Sequence, residues 1–136
     1  MGVVSLIAAR IDESDYLSGN QIREMQKQGW EIASHSWHHS ILTRTPIKEL
    51  SYEIKKSKKD LEKWFTEDVE TFVYPGGFYG PLTLEEVRKS GYRYALTTRF
   101  GYANLSGNPL ELERINIPPE TDIQKLTTLL ETAQKN

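Results

Sequence analysis

The three histidines of this 136-residue chain, His35, His38 and His39, fall within one five-residue stretch. Imidazole is the commonest metal ligand and exchanges a proton near neutral pH. The run Trp30-Glu31-Ile32-Ala33 that leads into them reads as a strand. The histidines would then stand at a strand's C-terminal end, where parallel α/β folds bind their ligands. If the chain turns helical after Ser34, His35 and His39 at i and i+4 share one side and can reach a single Zn²⁺ at about 2.0–2.1 Å. His38 would point elsewhere. Two histidines name neither the metal nor the reaction, because a protein site normally takes a third ligand. Ordinary surface or core histidines fit the same spacing.

A second candidate is Tyr74-Pro75-Gly76-Gly77-Phe78-Tyr79-Gly80. Glycines let the backbone turn sharply and approach a ligand closely, which could aim an N–H at a developing oxyanion. A plain strand-to-helix turn has the same composition.

The elements that must position these residues can be read from apolar period and stop signals. Val3–Ala9 is expected as a buried strand, followed by a polar connection to Asn20. Ser18 precedes a helix near Gly19–Gln28 that stops at Gly29, and Thr45-Pro46 opens the longest helix, roughly Ile47–Phe65. Its apolar stripe is Leu50, Ile54, Leu61 and Trp64/Phe65, with Lys55, Lys56, Lys58, Lys59 and Asp60 on a wet face. Thr71–Tyr74 is the next strand, and a helix over Thr83–Ser90 ends at Gly91. Tyr92–Thr98 is strand-like, Gly101–Pro109 a loop and Leu112–Ile117 a fifth strand stopped by Pro118-Pro119. Asp122 caps a final helix to about Ala133. The order β-α-β-α-β-α-β-loop-β-α implies parallel strands joined by helical crossovers. A closed eight-stranded β/α barrel typically needs about 250 residues. This chain therefore fits a small open sheet or an incomplete barrel, as one domain over residues 1–136.

Bulk properties exclude several classes. The absence of cysteine removes disulfides, thiolate metal sites and a Cys nucleophile, without fixing the compartment. A net charge of −2 offers no basic surface of the kind nucleic acid demands. The stretch Val3–Ala9 is too short to span a membrane and lacks the basic start of a secretory signal. The lysine cluster could meet an anionic polymer, but a solvated helix face explains it as well.

Taken in order, these segments resemble the polysaccharide deacetylases, the NodB-homology family of carbohydrate esterases. Gly29–His39 looks like the family's second motif, a strand ending in His-Ser/Thr-x-x-His, and Phe72–Gly77 resembles the third, in its Tyr-Pro-x-Gly form. Gly91–Thr98, Leu112–Ile115 and Val3–Ala9 are similar to further family segments in collinear order. The resemblance implies an α/β fold: an incomplete (β/α) barrel of about five parallel strands with crossover helices. It implies metal-dependent removal of acetyl groups from an N-acetylated glycan, with His35 and His39 as ligands of a divalent metal, zinc first. The N–H of Gly76 would stabilise the oxyanion. Trp37, Tyr74, Pro75, Phe78 and Tyr79 would line the substrate site, their rings suited to sugar faces. Family members act mostly on cell-wall or extracellular glycans.

Departures from the pattern matter too. The family's first motif supplies a base Asp and the third metal ligand, and it lies ahead of the strand matched by Val3–Ala9. Asp12 and Asp15 follow that strand and are poor stand-ins. No histidine follows His39 to protonate the departing amine, and Val73 stands where many members carry an Arg. Since acid–base groups each contribute about 10²–10⁴-fold, impaired turnover is expected, with a non-catalytic carbohydrate-binding or assembly module as the alternative. The exposed strand edge on the Val3–Ala9 side suggests a homo-oligomer.

Overall fold

Short apolar runs alternate with amphipathic segments, and they fold into strands and helices accordingly. A computed structural model describes residues 2–104 and 106–134. Four strands, β1 Val3–Leu6, β2 Glu31–Ser34, β3 Thr71–Val73 and β4 Tyr94–Leu96, form one parallel sheet in the order β1-β2-β3-β4. Each strand pairs with its successor, Val3 opposite Glu31, Ala33 opposite Thr71 and Thr71 opposite Tyr94. That steady progression is the wall of a β/α barrel, without the reversal of strand order that marks a doubly wound sheet.

Helix α1, Gly19–Lys27, crosses from β1 to β2 and starts at a capping box: Ser18 Oγ accepts from the Gln21 N–H while Gln21 Oε1 accepts from the Ser18 N–H. Asp12 serves the same end, its carboxylate accepting the Gly19 N–H at 2.9 Å. The long helix expected over 47–65 is present but composite: α2 Ile47–Ser51, a π-helical turn Tyr52–Lys56 and α3 Ser57–Phe65. Leu50, Glu53, Ile54, Ser57, Leu61 and Phe65 face inward, whereas Trp64, expected in the apolar stripe, is exposed. α4, Pro81–Lys89, begins at its proline, two residues before the expected start. α5, Ile123–Ala133, is capped by Asp122, whose Oδ1 accepts the Lys125 N–H at 2.7 Å.

Two strand expectations need correction. Val3–Ala9 is not one buried strand: β1 stops at Leu6, Ala8–Arg10 is a 3₁₀ turn, and Val3 is 47% exposed. β1 is the sheet's edge in the described residues, so one side of its backbone has no neighbouring strand. The fifth strand, Leu112–Ile117, reduces to a single parallel bridge between Leu112 and Leu96. Leu112 N–H donates to Ala95 O, and Thr97 N–H donates to Leu112 O. β4 ends at Leu96, and beyond the bridge only Arg114 N–H to Arg99 O continues the pairing, which sustains no ladder. Within the expected 101–109 loop, Leu105 lies outside the described residues.

The core gathers between sheet and helices, with Ile22, Ile32, Ile54, Leu61, Phe72 and Val87 all within 2% of complete burial. Two of the four lysines on the expected wet face are engaged: Lys56 pairs with Asp60, and Lys58 reaches Glu62 at 2.8 Å and Val69 O at 2.5 Å. Among the described residues no helix is long and apolar enough to cross a membrane.

Candidate active site

β2 delivers the histidines to the C-terminal end of the sheet. The chain does not turn helical after Ser34. Ser36 and His39 both adopt left-handed backbone, φ 65° and 67°, and these two reversals bring the His35 and His39 rings edge to face at 4.7 Å between centroids. The two rings are therefore brought together by a route other than the expected helical turn. The loop is fixed from the β1 side, where Ala8 and Ala9 N–H donate to the carbonyls of Ser36 and Trp37 at 3.2 and 2.9 Å.

Each ring has its own anchor. His35 N–H donates to Leu6 O at 2.8 Å, extending the β1–β2 ladder. Its ring Nδ1 lies 2.7 Å from Val73 O at the end of β3. A carbonyl only accepts, so Nδ1 carries the proton and Nε2 keeps a free lone pair, the arrangement of a metal-ligating histidine with its outer partner. Burial pushes the His35 pKa below its ordinary value, the Val73 carbonyl opposes this, and charge on His39 and Arg114 lowers it further. The ring is thus held neutral near neutral pH. His39 N–H donates to the buried Ser36 Oγ at 2.9 Å.

His38 points away, as expected, and its ring stacks on Tyr52. Its partner is Glu53, whose carboxylate accepts from His38 N–H at 2.9 Å, His38 Nδ1–H at 2.7 Å and Ser40 Oγ–H at 3.1 Å. Burial alone would raise the Glu53 pKa, but the bonds from His38 and Ser40 outweigh it and hold the carboxyl below its usual range.

β3 delivers the second segment. Pro75–Gly77 is a 3₁₀ turn in which Gly77 and Phe78 N–H bond back to Tyr74 O and Pro75 O. The exposed Gly76 contributes none of those turn bonds. Gly76 and Gly77 both have positive φ, 62° and 74°, and a Cβ on Gly77 would overlap the Thr98 side chain. The structure divides the expected substrate residues. Phe78 is 54% exposed and Tyr79 half-buried beside it, at the mouth of the turn. Tyr74 and Pro75 are buried, so neither presents a face to solvent. The Tyr74 ring stacks under Tyr79 at 4.9 Å and its hydroxyl donates to Leu110 O at 2.9 Å. Burial pushes the Tyr74 phenol well above its ordinary pKa, with Glu111 adding to it. Trp37 lines a cavity with Trp64, Arg23 and Asp12, apart from the His35 ring, and carries Lys56 Nζ 3.8 Å above its own ring. His35 instead borders a small, mostly apolar cavity of about 130 Å³ with Leu6, Ile7, Tyr16 and Leu17.

The donor set fits a divalent metal in part. The two imidazole rings lie edge to face, and the bond to Val73 O leaves the His35 Nε2 lone pair free. Among the described residues, however, no group of three or more His, Cys, Asp or Glu is placed to hold an ion. Sequence reading missed Glu53, Ser36 and the Val73 carbonyl. For Glu53 a signal existed: a charged residue at the inward phase of an apolar stripe, between Leu50 and Ile54.

Comparisons with known proteins identify the family and the fold. Residues 4–95 match the family model for polysaccharide deacetylase. A peptidoglycan-N-acetylglucosamine deacetylase of Bacillus cereus is 28% identical over 91 residues, covering 67% of this chain and 40% of that protein. Among solved structures, the Streptococcus pyogenes deacetylase PplD in complex with acetate superposes with a TM-score of 0.89 at 25% identity, over 94% of this chain and 57% of that one. The polysaccharide deacetylase BC0361 from Bacillus cereus gives 0.80 at 26% identity, over 93% and 40%. The chain thus spans little more than half the length of these relatives at most.

Proposed function

Because the chain belongs to the polysaccharide deacetylase family, we propose that it carries the histidine half of a metal-dependent site for removing acetyl groups from an N-acetylated glycan. The observation that carries this reading is the His35–His39 pair at the end of β2, with the His35 ring oriented by Val73 O. A divalent ion, zinc first as the family resemblance implies, would act as a Lewis acid on the acetamide carbonyl and activate water. His35 and His39 would hold that ion. The Gly76 N–H, left out of the turn's own bonds, would donate to the oxyanion as charge develops. Phe78 and Tyr79 would flank the sugar, while Tyr74 and Pro75 fix the turn from beneath. The acetate held by PplD is the product such a reaction releases, which supports the same substrate class here.

Residues 1–136 act in this reading as part of a deacetylase domain whose third ligand and base are contributed from outside the described residues. The isolated chain should turn over slowly, since each missing acid–base group is worth about 10²–10⁴-fold. A second reading, a non-catalytic glycan-binding or assembly module on the same scaffold, fits the observation that no third donor stands with the pair among the described residues. The exposed edge of β1 would be the surface for self-association.

The test is a zinc titration by calorimetry on the chain and on the double variant His35→Ala/His39→Ala, followed by acetate release from N-acetylated oligosaccharides. Micromolar binding that disappears in the variant is the expected result. Absence of binding in both proteins would overturn the metal reading and leave the binding module.

A further inference from the structure

Among the described residues Glu53 is the one buried carboxylate, 4% exposed, although it lies on a helix whose neighbouring charges face water. Burying a carboxylate is unfavourable unless its oxygens are bonded. Here Oε2 takes the His38 N–H, Oε1 takes His38 Nδ1–H and the Ser40 hydroxyl, and the Glu53 backbone carbonyl takes the Trp37 N–H. All four bonds land on residues 37–40. They lie on both sides of His39 in sequence, and His39 is one of the two positions where the loop holds a left-handed backbone. Such a conformation persists only when its surroundings over-determine it.

The helix is built for this placement. The π-helical turn Tyr52–Lys56 inserts a residue into the regular ladder and rotates α2 relative to α3. It lets Glu53 face the loop while Ile54 still enters the core. The Ile54 carbonyl at the turn accepts from Ser57 Oγ at 2.8 Å and from Tyr92 OH at 3.1 Å, so the bulge is held in place by side chains.

We propose that Glu53 is a positioning residue, which holds His39 against His35 by clamping the loop before and after it. The inference rests on the reading of His35 and His39 as a ligand pair. Its test separates the two, because the first readout needs no metal. In the metal-free chain, nuclear Overhauser contacts between the His35 and His39 rings report the pairing, and long-range proton–nitrogen spectra report the His38 tautomer. Leu61→Ala serves as the control, since Leu61 is buried on the same helix among the core residues. It should lower the melting temperature yet keep the ring contacts and the zinc affinity of the parent chain. Glu53→Ala should abolish the ring contacts and weaken zinc by about tenfold, the lower end of the range for loss of a ligand's direct outer partner, because Glu53 acts on the loop and bonds neither the His35 nor the His39 ring. Glu53→Gln, which keeps an acceptor for the His38 N–H, should restore the contacts in part while shifting the His38 tautomer. Retained contacts in Glu53→Ala, or equal loss in Leu61→Ala, would overturn the proposal. If Glu53→Ala does not fold, Glu53→Gln decides: an unchanged His38 tautomer with unchanged ring contacts sinks the idea. If the parent chain binds no zinc but Glu53→Ala still loses the ring contacts, the metal reading fails and the positioning role stands.

Discussion

Gly77→Ala tests whether the second segment is built as tightly as its geometry implies. Gly77 sits at φ 74°, and a Cβ there would lie 2.8 Å from Thr98 Cβ, with the Thr98 Oγ1 and Cγ2 closer still. Rotating the exposed Thr98 side chain moves Oγ1 and Cγ2 but leaves its Cβ in place, so rotation cannot relieve the contact. A left-handed backbone costs an L-residue about 1–2 kcal/mol. Forcing overlapping atoms apart costs about 1–3 kcal/mol more. Alanine also restricts the unfolded chain, which returns about 0.4–1 kcal/mol. The net expectation is a loss of about 1–5 kcal/mol, centred near 3. For a domain of this size about 4 °C accompanies each kcal/mol, so the melting temperature should fall by roughly 12 °C.

Denaturant unfolding of four proteins measures the two contributions separately: parent, Gly77→Ala, Thr98→Gly and the double variant. The overlap should appear as a coupling of about 1–3 kcal/mol, because Thr98→Gly removes the obstructing Cβ. The backbone cost should survive in the double variant. A Gly77→Ala protein within about 0.5 kcal/mol of the parent, the range of neutral surface changes, would refute the reasoning. So would a large loss with no coupling to Thr98.

Two further outcomes concern buried polar groups. Tyr74→Phe keeps the ring stacked on Tyr79 and against Phe72 but leaves the Leu110 carbonyl without its hydroxyl donor, so stability should drop by about 1–3 kcal/mol in denaturant unfolding. No loss would show that water replaces the hydroxyl at no cost. Acid should destabilise the chain in two stages. The His35 pKa is depressed in the fold, so below its ordinary 6.5 the unfolded chain binds the proton first and stability falls with falling pH. The Glu53 pKa is also depressed, so its contribution is full above the ordinary 4.5 and is lost as pH falls through the lower folded value. Unfolding midpoints measured against pH should lose the upper stage in His35→Ala and the lower one in Glu53→Gln.

The residue types and spacing around His35 and His39 raise a metal-ligating pair as one reading, but do not give the path of the backbone between them. A helical turn is the local expectation. Its replacement is non-local: Ala8 and Ala9 bond to the loop's carbonyls and Glu53 to its amides, contacts made across a wide separation in sequence. The capping signals at Ser18 and Asp122 are legible because they are local, and both are used as read. Leu112–Ile117 reads as a strand stopped by Pro118-Pro119, yet a strand also needs a partner, and β4 ends too soon to supply one. Tyr74 reads as a sugar platform beside Phe78 and Tyr79. Alternation along an extended segment does not say which ring is under the sheet's cover, and Tyr74 is the one beneath.

The anchors of the two histidines come from different parts of the fold, and this bears on how the site could work. His35 is tied to β1 through its N–H and to β3 through its ring, so its position is a property of the sheet. His39 is tied to Ser36 within the loop and, through His38 and Ser40, to the helix after β2. The rings meet where sheet and helix are packed on one core. If the pair binds the proposed ion, rings held in this way would lose little freedom on binding, and more of the intrinsic affinity would be kept than two mobile imidazoles allow. In the proposed site a carboxylate brought to the pair would supply the third donor, and a zinc titration of the chain alone would measure how much of the site the two rings provide.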